Sequence, residues 1–215
     1  MKIYKNKNKT RMNQDWQDFS NLIGEADRLK ASGEHNEAIK VCEKILLTDL
    51  DHPQAYEEIG DNYLSLREYD KAERALFQAL RVNPGSANAH YLIGFTYSAL
   101  GNWEESIAHL ETAHQLQPNH PEILRCLGWS IFHSGERQQG LVLLERALNL
   151  SPRDPLILSD LGLCYLNHKE FDRANNLFLQ VLEIEPDNQK VQECLQAVKF
   201  FKGEFKKLRE FKENK

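Results

Sequence analysis

Apolar side chains along this chain recur at steps of three and four residues, in paired stretches that repeat every 34 residues. The first stretch of a pair brackets a glycine: Ile59-Gly60 with Tyr63, Ile93-Gly94 with Tyr97, Leu127-Gly128 with Ile131, Leu161-Gly162 with Tyr165. The second stretch sets a small residue four positions before a larger one: Ala38/Cys42, Ala72/Leu76, Ser106/Leu110, Gly140/Leu144 and Ala174/Phe178. Steps of three and four fall on one face of a helix, and small side chains on that face let two helices approach closely. The pattern predicts an all-α chain of helix pairs.

Punctuation sharpens the pairs. Pro84, Pro118, Pro152 and Pro186 keep the same step and end each second helix, because proline lacks an N–H and holds its predecessor away from helical geometry. Five segments come into register: 19–52, 53–86, 87–120, 121–154 and 155–188. Their first helices carry versions of a W-x2-L-G-x2-Y pattern, for example Tyr56, Ile59, Gly60, Tyr63 and Leu158, Leu161, Gly162, Tyr165. On these residues the chain resembles the tetratricopeptide-repeat (TPR) family. The resemblance implies a right-handed α-solenoid of five repeats over 16–188, in which first helices line a concave groove. Segment one departs from the pattern, with Glu25 at an apolar site and Leu50 in place of proline. Segment four departs at Arg137 and Gly140; a glycine inside a helix costs up to about 1 kcal/mol against alanine, which predicts a looser fourth repeat.

Past Pro186 a further helix is expected over 189–215, with Val191, Leu195, Val198, Phe201, Phe205, Leu208 and Phe211 at steps of three and four. Its first half suits a cap on the last repeat. Its second half is basic and longer than a cap needs. Three readings stand for it: a long capping helix, a docking or dimerisation helix through Phe201, Phe205, Leu208 and Phe211, or a helix lying on a membrane surface. Residues 1–15 read as a basic, flexible tail.

The register makes groove positions readable. A residue two steps along a helix is turned by about 200°, so the residue midway between each packing pair points away from the second helix. That column reads Asp27, Asp61, Phe95, Trp129, Leu163. Its neighbours read Ile23, Glu57, Tyr91, Arg125, Ser159 and Lys30, Leu64, Ser98, Phe132, Leu166. Acids occupy the first two repeats; Tyr91, Phe95, Trp129, Phe132, Leu163 and Leu166 surround Arg125 in the last three. His133 and Asn167, one position further on, add hydrogen-bonding groups. Aromatic side chains that helix pairing does not need offer contact area at low entropic cost. The expected ligand is an apolar peptide or helix whose basic end lies toward Asp27, Glu57 and Asp61. Family members that clamp acidic chaperone tails use Lys and Asn where this chain has Ile23, Asp27, Glu57 and Asp61, which argues against that activity here.

Charge supports a protein partner. The net charge is −5, yet residues 1–11 carry +5 and residues 199–215 carry +4, leaving −14 on residues 12–198. Nucleic-acid binding requires clustered Lys and Arg, so the acidic array disfavours it. Cys42, Cys126, Cys164 and Cys194 lack CxxC spacing, and no secretory or membrane-spanning run is present, which points to a reducing, cytoplasmic setting. No phosphate-binding loop, HExxH or GxSxG motif occurs, and no cofactor or metal is expected. The reading is a non-catalytic interaction scaffold or adaptor, chaperone or assembly factor among its variants. Self-assembly through the C-terminal helix and peripheral membrane attachment are the alternatives.

Overall fold

The computed structural model describes residues 18–213, with side chains to Leu208. The basic segment 1–15 and the side chain of Phe211 lie outside the described residues. Among the described residues there are eleven helices and no strand. The first, α1, occupies 18–31 and is followed by α2 (His35–Thr48), α3 (Pro53–Ser65), α4 (Tyr69–Val82) and α5 (Ala87–Leu100). Then come α6 (Trp103–Leu116), α7 (Pro121–Ser134), α8 (Arg137–Leu150), α9 (Pro155–Asn167), α10 (Phe171–Ile184) and α11 (Gln189–Glu213). They form two compact units that divide between Leu100 and Gly101.

Several helix ends have a chemical reason. Pro53, Pro121 and Pro155 open α3, α7 and α9, where a missing N–H costs nothing. The Asp154 carboxylate accepts from the backbone N–H groups of Leu156 and Ile157, and His52 Nδ1 accepts from that of Ala55. Each proline of the repeating column sits two residues past its helix. Asn83, just before Pro84, has φ −130° and ψ 88°, outside the helical region that a following proline disfavours.

The turn inside each pair has a signature of its own. Gly33, Arg67, Gly101, Gly135 and Lys169 all have positive φ, and they too are spaced by 34 residues. Two of the five are not glycine: Arg67 at φ 58° and Lys169 at φ 66°. A side chain in the left-handed region is strained, so these turns are held by the packing on either side.

In the first unit, Ala26, Ala38, Cys42, Ile45 and Ala55 are fully buried between α1, α2 and α3, and Leu76 of α4 packs with Leu92 and Ile93 of α5. In the second unit, Leu144, Leu158, Leu161, Phe178, Val181, Val191 and Val198 join α8 to α11 in one cluster. Cys42, Cys126 and Cys164 are buried and reduced. Burial pushes the Cys42 thiol up to about 12.

The fourth pair is closer than its composition predicts. A Cβ on Gly140 would stand 2.6 Å from the Gly128 carbonyl oxygen and 2.6 Å from the Phe132 amide nitrogen. Two glycines facing each other bring α7 and α8 backbone to backbone, so the expectation of a looser repeat is corrected.

Candidate functional site

In the first unit the acidic groove residues turn out to be engaged. Lys30 reaches across to Glu58 at 2.7 Å and Asp61 at 2.9 Å, with Asp27 at 3.8 Å. Burial opposes the Lys30 charge, but the bonds to Glu58 and Asp61 outweigh it and hold its pKa above the usual lysine value. Glu57 accepts from Ser86 Oγ at 2.5 Å and from Asn88 Nδ2 at 2.8 Å, and so ties down the start of α5. Ile23 is a core residue, 8 % exposed. The acceptor expected at Glu57 for a ligand's basic end is therefore already used within the chain. Tyr91 and Phe95 are half-buried on α5, packed against the Leu76–Ile93 cluster.

In the second unit the predicted residues separate into four roles. Phe132 is 3 % exposed and belongs to the core shared with α9, which corrects its place in the groove. The reason is geometric: its column faces the next helix pair, and Leu64 of the same column is also buried. Arg125 is likewise occupied. Its guanidinium meets Asp160 at 2.5 Å and Glu122 at 2.8 Å, and only 11 % of its side chain is exposed. Burial raises the Asp160 carboxyl above its ordinary value despite the attraction of Arg125. This ion pair ties α7 to α9.

Trp129 and His133 remain at the surface, and the structure adds a residue that column reading missed. The His133 ring lies 5.2 Å from Trp103 in a stacked arrangement and 4.3 Å from Trp129. Trp103 stands at the first position of α6, and its sequence signal was the aromatic column it shares with Phe171. His133 Nε2 is buried without a hydrogen-bond partner. Burial first, and Arg137 second, lower its pKa, so the ring sits neutral between two indoles. Leu163 is half-buried against the core on the neighbouring α9.

Leu166 and Asn167 go elsewhere. They line a cleft of about 320 Å³ with Lys169, Phe171, Phe201, Glu204, Phe205 and Leu208. Phe205 meets Phe171 edge to face at 5.9 Å, and the Lys169 ammonium lies 5.3 Å over the Phe205 ring. The cleft is the space between the end of α9 and the distal half of α11. A hollow of about 410 Å³ among α8, α9 and α10 is lined by Leu148, Leu161 and Leu177 and by polar groups that bond one another, Tyr165 to Glu145 and Arg173 to Tyr165. Among the described residues no cluster of His, Cys, Asp or Glu is placed to hold a metal ion. No helix of the described residues is long and apolar enough to cross a membrane.

Residues 132–197 match the family model described as tetratricopeptide repeat, and residues 31–113 match that of anaphase-promoting complex, cyclosome, subunit 3. The chain is a TPR protein. No curated protein sequence matches it. Among solved structures, a thermophilic TPR protein of Thermus thermophilus superposes with a TM-score of 0.73 at 20% identity, covering 84% of this chain and 98% of that one. The Cut9–Hcn1 hetero-tetramer of the APC/C gives 0.78 at 20% identity, over 84% of this chain and 36% of that one. YrrB, a TPR protein with an unusual peptide-binding site, gives 0.59 at 20% identity, over 81% and 90%. These likenesses establish the TPR fold, and TPR repeats generally mediate protein–protein interaction.

Proposed function

We propose that this TPR protein is a non-catalytic scaffold that captures an apolar peptide or helix on the face built from Trp103, Trp129, His133 and Leu163. The observation that supports it is the position of Trp129. Its indole is half-buried on α7, 4.3 Å from the His133 ring, with one side packed against the core of the second unit and the rest open to solvent. Two tryptophans packed on a neutral imidazole give a rigid, largely apolar surface. Such surfaces suit an aromatic or aliphatic anchor of a partner. Tyr91 and Phe95 are proposed as a separate contact on the first unit.

Selection from a displayed peptide library tests this reading. Recovered peptides should share an apolar anchor, and Trp129→Ala should weaken them at least about 10-fold, the loss typical of an aromatic hot spot. Helical circular dichroism of the variant should be unchanged. Equal binding by wild type and Trp129→Ala would remove this face from the proposal.

A further inference from the structure

Leu47 and Leu50 are 87 % and 71 % exposed, the highest values of any large apolar side chain among the described residues. They flank the end of α2. Leu50 stands where Pro84, Pro118, Pro152 and Pro186 stand in the other pairs, yet Asp49 (φ −136°, ψ 96°) keeps the backbone geometry of Asn83. The turn therefore forms without proline. What the departure leaves is a leucine held in solvent between Asp49 and Asp51, a side chain that neither the turn nor the core uses.

The second such place is the cleft beside α11. Helix α11 has 25 residues, whereas α3 has 13 and α4 has 14. Val191, Leu195 and Val198 bury its first half, and from Lys199 onward no described side chain is buried. Phe201, Phe205 and Leu208 are 51 %, 38 % and 59 % exposed and face Leu166 and Phe171 across the cleft. Six basic and three acidic residues lie between Lys199 and Glu213. The cleft is apolar inside, with the Lys169 ammonium and the Glu204 carboxylate at its wall, while Lys202 and Lys207 of α11 form exposed pairs with Asp172 and Glu204. At about 320 Å³ it is at the small end of ligand sites, a space for one or two side chains.

We propose that the turn at the end of α2 of one copy docks into the α11 cleft of a second copy, so that chains associate head to tail. Leu47 and Leu50 enter the apolar space, and Asp49 and Asp51 meet Lys169 and replace the weak exposed partners of Lys202 and Lys207. Both acids are available for this. Asp49 accepts from the Asp51 N–H at 3.2 Å, and Asp51 lies 3.4 Å from Arg81 in an exposed pair of little strength. A wedge between two helix ends fits a pointed turn better than a lipid surface, because the apolar face of α11 looks toward Leu166 and Phe171. The contact uses a different surface on each copy, so one dimer leaves one turn and one cleft unfilled, and growth continues or closes into a ring. This association is independent of the face around Trp129.

Sedimentation velocity over a concentration series, with three variants, tests the proposal. The wild type should gain mass with concentration. Leu47→Asp with Leu50→Asp should be monomeric, as should Phe205→Asp and, separately, the more exposed Leu208→Asp, each with wild-type circular dichroism. Each should weaken association at least about 10-fold. An equimolar mixture of the turn variant and a cleft variant should regain association but stop at two chains, because one intact contact remains. A wild type that stays monomeric overturns the proposal, as does a turn variant that associates like wild type. Loss by the cleft variants alone, with no recovery on mixing, overturns it in favour of α11 pairing with α11. Anionic-vesicle binding that only the cleft variants lose, with the wild type monomeric, assigns the stretch to lipid instead.

Discussion

Gly128 and Gly140 face each other across the α7–α8 contact, so closely that a Cβ on Gly140 would stand 2.6 Å from the Gly128 carbonyl oxygen. Two opposite expectations attach to Gly140→Ala. Helix propensity alone favours the alanine by about 1 kcal/mol. The added carbon meets backbone atoms that cannot rotate aside, and overpacking of this kind costs about 1–3 kcal/mol. Packing wins. The variant should be less stable by roughly 1–2 kcal/mol in urea titration, and a gain in stability would show that α7 and α8 can move apart freely.

Arg125 is expected to matter for stability more than for ligand capture. Arg125→Met strands Glu122 and Asp160 without their cation, and removing one partner of a largely buried pair costs about 3 kcal/mol. The pH dependence has a defined sign. Burial already raises the Asp160 carboxyl above its usual value, and loss of Arg125 raises it further. A folded-state carboxyl with a raised pKa binds protons that the unfolded chain has released, so stability falls as pH rises through that window. The deficit of the variant should be largest at neutral pH and shrink as the pH falls toward about 4. Urea titrations at three pH values measure it; a deficit independent of pH would place the loss in packing alone.

Arg67 offers a stabilising change. Its φ of 58° lies in the left-handed region that Gly33, Gly101 and Gly135 occupy in equivalent turns. That conformation costs a non-glycine residue about 1–2 kcal/mol, and glycine gives back about 0.5–1 of it through the entropy of the unfolded chain. Arg67→Gly should therefore raise stability by about 0.5–1 kcal/mol. A lower thermal midpoint for the variant would mean that the arginine side chain does more than tolerate the turn.

His133 should make the fold sensitive to mild acid. Its pKa is lowered by burial between Trp103 and Trp129, and by Arg137. A histidine held neutral in the folded state binds fewer protons than in the unfolded chain, so stability is full above the unfolded value near 6.5 and declines as pH falls below it. His133→Phe should flatten that decline. A ring resonance titrating in the folded protein at or above the unfolded value would contradict this assignment.

The sequence by itself determined the helix pairs. Glycine and proline act locally, through close approach and through a missing N–H, so Gly60, Gly128, Pro84 and Pro152 could be read without a structure. The apolar stripe of α11 was legible for the same reason. The column at Gly33, Arg67, Gly101, Gly135 and Lys169 was not, because two of its members are residues whose type gives no sign of positive φ. Tertiary structure alone decided which groove candidates stay at the surface. Trp129 and Phe132 are both large, aromatic and three positions apart, yet one is half-buried beside His133 and the other belongs to the core. Helical periodicity fixes the direction of a side chain about its own axis, but not whether a neighbouring helix lies in that direction. In the same way, spacing gave Arg125 and Glu57 as groove charges. Only contacts at separations of 29 and 35 residues revealed that Ser86 and Asp160 had already claimed them.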